Sequence, residues 1–113
     1  MGVVYYANYF VWFEVARTEY FRALGLVYRK LEEKGIYLMV ASAACQYKFP
    51  ARYDDVVKIH AWVPELKNSS LKFAYKLFVG EKLIATGESV HVFTNVAGKP
   101  TRIPEEIRGL FHP

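Results

Sequence analysis

At Gly35 the apolar residues of this chain change their spacing from helical to alternating, and the alternation then persists almost to the end. Residues 7–26 contain no proline, and Phe10, Phe13, Tyr20, Phe21 and Leu24 recur three, four, seven and eight positions apart. Glu14, Arg17, Glu19 and Arg22 interrupt them, which is the pattern of an amphipathic helix. Asn8 is the expected N-cap and Gly25 the expected stop or kink. A second helical stretch, 27–34, is closed by Gly35. Beyond it, 37–49 reads as a strand ended by Pro50, and 56–63 as a strand ended by Pro64. Strands at 71–79 and 82–95 follow. Lys67-Asn68-Ser69-Ser70 supplies the turn chemistry before the third strand, and Gly80-Glu81 fits a two-residue type II′ loop before the fourth. Residues 96–99 read as a turn, and 104–110 as a short helix with proline in its first turn.

One helix followed by a four-stranded antiparallel meander is an α+β order, not α/β. The two outer strands carry small residues on one face, Ala41, Ala43 and Cys45 on the first and Ala85, Gly87 and Ser89 on the last. The helix is crowded with Phe, Trp and Tyr. Small residues let a bulky helix lie close, so the expected architecture is a long central helix wrapped by the sheet.

The 113 residues are 53% hydrophobic and 17% aromatic, which fits a single domain over 1–113 and excludes disorder. The lone Cys45 removes any internal disulfide and suits a cytoplasmic location. No run reaches the roughly 18 apolar residues of a membrane helix, and the first six residues lack a basic region, so neither membrane span nor secretion is expected. A net charge of +4 fits a phosphate-bearing small molecule as well as a polyanion. Nucleic acid is not expected, because the aromatic residues alternate into the core instead of sharing a surface with the cations.

The segment Gly2-Val3-Val4-Tyr5-Tyr6-Ala7-Asn8-Tyr9, with Phe13-Glu14 and Ala16-Arg17-Thr18-Glu19, resembles the signature of hotdog-fold acyl-CoA thioesterases of the 4-hydroxybenzoyl-CoA thioesterase type, including the bacterial group associated with the Tol-Pal system. Shorter matches follow at Pro50 to Asp55, at Ala85-Thr86-Gly87-Glu88 and around Gly98-Lys99-Pro100. The resemblance implies hydrolysis of a thioester whose carbonyl sits at the N-terminus of the long helix, where free N–H groups and the helix dipole stabilise an oxyanion. It assigns the oxyanion donor to the backbone N–H of Tyr6 and places Gly2, Val4, Asn8 and Tyr9 around the substrate. Some relatives carry His where this chain has Tyr6.

The resemblance also implies a catalytic Asp in an Asp-x-x-Gly pattern whose Gly matches Gly2, which sets that Asp ahead of Met1 together with a first strand. Two expectations follow: a natural start further upstream, or a shortened form without activity. Glu14 is a possible substitute carboxylate, and its plainer reading is an ion pair with Arg17 or a contact between subunits. Asp54 and Asp55 read as a solvated turn. His60, His91 and His112 show no metal spacing, His91 reads as a hydrogen-bonded interior residue, and Cys45 as a small core residue.

Coenzyme A carries phosphates, and Lys67, Asn68, Ser69, Ser70 and Lys72 offer donors for them, with Lys99 and Arg102 as a second cluster. No cofactor is expected beyond the coenzyme A of the substrate. The expected function is an acyl-CoA thioesterase working as a homodimer or homotetramer, with strand 37–49 paired to its symmetry mate. A hotdog domain that binds acyl-CoA or an acyl carrier without turnover is the alternative. A hydratase would need a His beside a carboxylate at the helix start, which Tyr6 does not provide.

Overall fold

The structure, a computed structural model, describes residues 2–111; Met1, His112 and Pro113, and with them the expectation for His112, lie outside the described residues. Helix α1 (Asn8–Ala23) and the short α2 (Tyr28–Glu33) precede four strands, β1 (Tyr37–Tyr47), β2 (Val57–Leu66), β3 (Ser70–Val79) and β4 (Lys82–Thr94). A last turn of helix, α3 (Glu105–Arg108), follows. Helix α1 stops where Gly25 adopts φ +84°: the Leu26 N–H returns 2.8 Å to the Phe21 carbonyl and the Gly25 N–H 2.9 Å to that of Arg22. This closes the helix with satisfied carbonyls. Gly35 ends α2 in the same way.

Several boundaries differ from the sequence reading. The residue at the N-cap is Ala7, with no side-chain capping bond, and Asn8 is already helical. The Asn8 N–H bonds 3.0 Å to the Tyr5 carbonyl, so a tight turn at 5–7 starts the helix one residue early. Strand β2 runs through Pro64 instead of stopping there, because the pairing with β3 slips between Trp62 and Glu65 and β2 is an edge strand. A bulge on an edge needs no N–H from proline.

The sheet order is β1-β4-β3-β2, antiparallel throughout. Only β2, β3 and β4 form a meander; β1 pairs with β4, and the loop from 48 to 56 carries the chain across to the far edge. Gly80 has φ +61° in the Val79–Lys82 hairpin, and among the described residues no non-glycine residue has positive φ, which fits the type II′ loop.

The core lies between α1 and the sheet face carrying Phe73, Tyr75, Leu77, Ala85 and Phe93, and Phe111 and Ile107 close its far end. Helix α1 has 16 residues, ~24 Å at 1.5 Å per residue. It packs on one face of a sheet whose longest strand has 13 residues, so it is shorter than the expected central helix. The chain is elongated, with a radius of gyration of 15.3 Å against about 13 Å for a rounded domain of this length. The expected small face is present. Register places Ala43 opposite Ser89 and Cys45 opposite Gly87 on the helix side of the sheet, with Ala43 left exposed, whereas Ala41, expected on the same face, falls at the register shift between Val40 and Ser42.

Candidate active site

The N-terminus of α1 is held in place by two tyrosines. Tyr9, 2% exposed, accepts a hydrogen bond of 3.1 Å from the Ala51 N–H, and the Val4 N–H donates 2.8 Å to the Ala51 carbonyl. The segment before the helix is thereby tied to the loop after β1. Tyr47, at the end of β1, donates 2.9 Å to the Tyr6 carbonyl and packs edge-on against the Tyr6 and Tyr9 rings. Desolvation, and then neighbouring Cys45, push the Tyr47 hydroxyl up to about 12, so it stays protonated and donates at neutral pH. Burial also raises the Cys45 thiol, which makes it a poor nucleophile and fits its place as a packing residue.

These contacts leave the amides of Tyr6 and Ala7 open. Among the described residues neither finds an acceptor, and no side chain caps the helix. Beside them lies a cleft of about 310 Å³ lined by Val3, Val4, Tyr6, Tyr47, Lys48 and Phe49. Open N–H groups, the positive end of a helix dipole and an apolar surrounding are features that favour a developing oxyanion.

Of the residues singled out in the sequence, Tyr6, Val4 and Tyr9 line this cleft, Asn8 is exposed on the first helical turn, and Gly2 bonds through its carbonyl to the Tyr53 N–H at 3.2 Å. The hairpin residues Lys67, Asn68, Ser69, Ser70 and Lys72 lie elsewhere. Ser70 pairs with Val92, which lies opposite Met39 on β1, whereas Tyr6 sits against Tyr47, eight residues and ~26 Å further along that strand. Both lysines approach Glu65, at 3.4 Å for Lys67 and 3.7 Å for Lys72, and Arg102 reaches the Asn68 side chain at 3.4 Å. Within one chain, the hairpin and Tyr6 do not form one site.

Glu14 forms no ion pair with Arg17. That guanidinium instead donates 3.0 Å to the Tyr75 hydroxyl, which lies 2.6 Å from Ser89 Oγ, itself 2.7 Å from His91 Nε2. His91 is the hydrogen-bonded interior residue expected from its strand; its link through Ser89 and Tyr75 to Arg17 has no sequence signal, because Arg17 and Tyr75 lie 58 residues apart and Tyr75 and Ser89 14. Desolvation, and then Arg17, lower His91 to about 4, and burial raises Tyr28 to about 12. Asp55 accepts 2.8 Å from the Arg52 N–H in an exposed turn, as its neighbours suggested. Among the described residues no three His, Cys, Asp or Glu side chains gather as metal ligands, and no helix is long and apolar enough to cross a membrane.

The profile of the thioesterase-like superfamily matches residues 1–111. The chain belongs to that superfamily. It is 34% identical over 114 residues to the acyl-CoA thioesterase YbgC of Haemophilus influenzae, covering 98% of this chain and 83% of the relative. A structure of a hypothetical protein from Aquifex aeolicus superposes with a TM-score of 0.92 at 33% identity, covering 98% of this chain and 87% of that one. A DHNA-CoA thioesterase from Staphylococcus aureus superposes at 0.85 with 34% identity, covering 90% and 70%. The fold is therefore the hotdog fold of superfamily members, an antiparallel sheet with its helix on one face.

Proposed function

We propose that this chain is an acyl-CoA thioesterase that docks its thioester carbonyl at the N-terminus of α1. The observation that carries this reading is the uncapped helix start, where the Tyr6 and Ala7 amides find no acceptor among the described residues and Tyr6 lines the cleft. Superfamily membership and relatives named acyl-CoA thioesterases support it. Water adds to the carbonyl carbon, the tetrahedral oxyanion is held by the Tyr6 N–H, and collapse breaks the C–S bond to release a carboxylic acid and the coenzyme A thiol. The proton of the attacking water needs a general base, for which a carboxylate is the ordinary choice.

The hairpin group Lys67, Asn68, Ser69, Ser70 and Lys72 serves the coenzyme A phosphates in this reading only across a subunit boundary, since it lies at the other end of its own sheet. A dimer joined through the free edge of β1 brings the ends of two sheets together in that way. A cytoplasmic location and membership of the Tol-Pal-associated group belong to the same reading.

A second reading, acyl-CoA binding without turnover, is favoured by one feature: the described cleft walls hold no Asp, Glu or His. Thiol release from short-chain, long-chain and aromatic acyl-CoAs, measured beside calorimetric binding, separates the two. Turnover supports the thioesterase; binding without turnover across the panel supports the second reading, and neither binding nor turnover overturns both.

A further inference from the structure

Helix α1 and strand β1 do not close on each other along their length. Between Tyr47 and Val40, the helix-facing side of β1 carries only Cys45 and Ala43, and Ala43 remains exposed. On α1, Phe10 packs edge-on against Phe13 and is also partly exposed. These side chains leave room for a shallow apolar trench from beside Tyr6 toward the middle of α1. At its far end is a cavity of about 230 Å³ whose walls include Glu14, Arg17, Thr18, Tyr28, Val40 and His91. The trench is apolar and floored by small residues, while the cavity is rich in hydrogen-bonding groups.

The buried chain fixes the polarity of one wall. Arg17 can only donate, so Tyr75 accepts from it and passes its own hydrogen to Ser89, which donates to His91 Nε2; the reverse sense strands a buried hydroxyl hydrogen. His91 then carries its hydrogen on Nδ1, which makes no hydrogen bond among the described residues and is not sealed off in the wall: the enclosed side-chain atom without a partner among them is Arg108 Nε, whereas His91 lines the cavity. A donor on a buried side chain, in the wall of a cavity that also holds Glu14 and Glu32, is suited to a group that both accepts and donates. The two carboxylates oppose an anion there. A hydroxyl meets both requirements.

We propose that this cavity receives the far end of the acyl group, so that the protein favours ω-hydroxyacyl thioesters of about ten carbons over plain acyl thioesters of the same length. The proposal rests on the thioesterase reading and adds a substrate class to it. The length follows from the helix: Glu14 and Arg17 lie six and nine residues beyond Asn8, ~9–14 Å at 1.5 Å per residue, the reach of roughly eight to eleven extended carbons. The substituent of a single benzoyl ring stops short of the cavity.

Two measurements on the purified protein test it. The first compares kcat/KM for 10-hydroxydecanoyl-CoA and decanoyl-CoA, and the second the affinities of the matching S-alkyl thioethers, which bind without turnover. At least a tenfold preference for the hydroxylated partner is expected in both. Thr18→Val and Tyr28→Phe each lower the ratio severalfold, whereas Thr86→Val, on the opposite face of the sheet, does not. Equal kcat/KM and equal affinity overturn the cavity assignment. No turnover with the thioether preference intact overturns the thioesterase reading and supports the cavity; no binding of either thioether overturns both.

Discussion

The ring of Phe13 occupies the space where a side chain on Gly87 would stand: a Cβ built there overlaps Phe13 Cζ and lies 3.0 Å from the Ala44 carbonyl. Phe13 cannot retreat, because its other face is stacked on Tyr75 at 4.2 Å and 6°. The glycine thus lets α1 approach the sheet, and this contact sets the helix N-terminus against Tyr47. Gly87→Ala should destabilise the protein by about 2–3 kcal/mol through overpacking. Urea unfolding of Gly87→Ala, Phe13→Leu and the double variant tests the coupling, with the double variant more stable than the sum of the single changes implies.

Tyr75 links helix to sheet through Arg17 and Ser89. Tyr75→Phe leaves the stacking surface and removes only the hydroxyl, so both neighbours lose a partner in a buried place. A loss of about 1–3 kcal/mol is expected by chemical denaturation. A change below about 0.5 kcal/mol would mean that the network contributes nothing net to the fold.

His91 makes stability depend on pH in a defined window. Its folded value of about 4 lies below the ordinary 6.5, so between those values the unfolded chain binds the extra proton. Stability from this group is therefore complete above about pH 6.5 and is lost as pH falls toward 4, by up to about 3 kcal/mol. Denaturation midpoints from pH 7 to pH 4 should fall, and His91→Gln should flatten the slope.

Tyr47 holds the Tyr6 carbonyl and with it the plane of the peptide whose N–H belongs to Ala7. Tyr47→Phe should lower kcat by about three- to tenfold with little change in KM, since it removes orientation and leaves the apolar contact. An equal rise in KM with kcat unchanged would assign Tyr47 to ground-state binding instead.

Ala7 stands at the N-cap position, where a carboxylate would favour the helix but oppose an oxyanion. Ala7→Asp should raise stability by about 0.5–1 kcal/mol and lower kcat/KM at least a hundredfold. Opposite signs in the two measurements separate an electrostatic effect on the site from simple unfolding.

Much of the fold was legible because alternation is a local signal: β3 and β4 lie within a residue of their expected bounds. Pairing partners are not local, and nothing in the sequence of β1 said that it joins β4 instead of β2. The extension of β2 past Pro64 depends on a bulge at an open edge, which only the sheet order reveals. The role proposed for Tyr6 rests on the resemblance, since a free backbone amide has no side-chain signature in a sequence. The expected Asn8 cap failed because the turn at 5–7 starts the helix first. Arg17, Tyr75, Ser89 and His91 each looked ordinary, and their connection exists only once α1 lies on the sheet.

In the proposed mechanism the Tyr6 and Ala7 amides receive the thioester oxygen. Titration of the ¹⁵N-labelled protein with a non-hydrolysable acyl-CoA ketone, which keeps the carbonyl and replaces sulfur by methylene, reads those amides one by one. The account predicts that the Tyr6 and Ala7 resonances move furthest downfield and saturate together. Saturation that leaves both unmoved, with the largest shifts at another part of the fold, would contradict it.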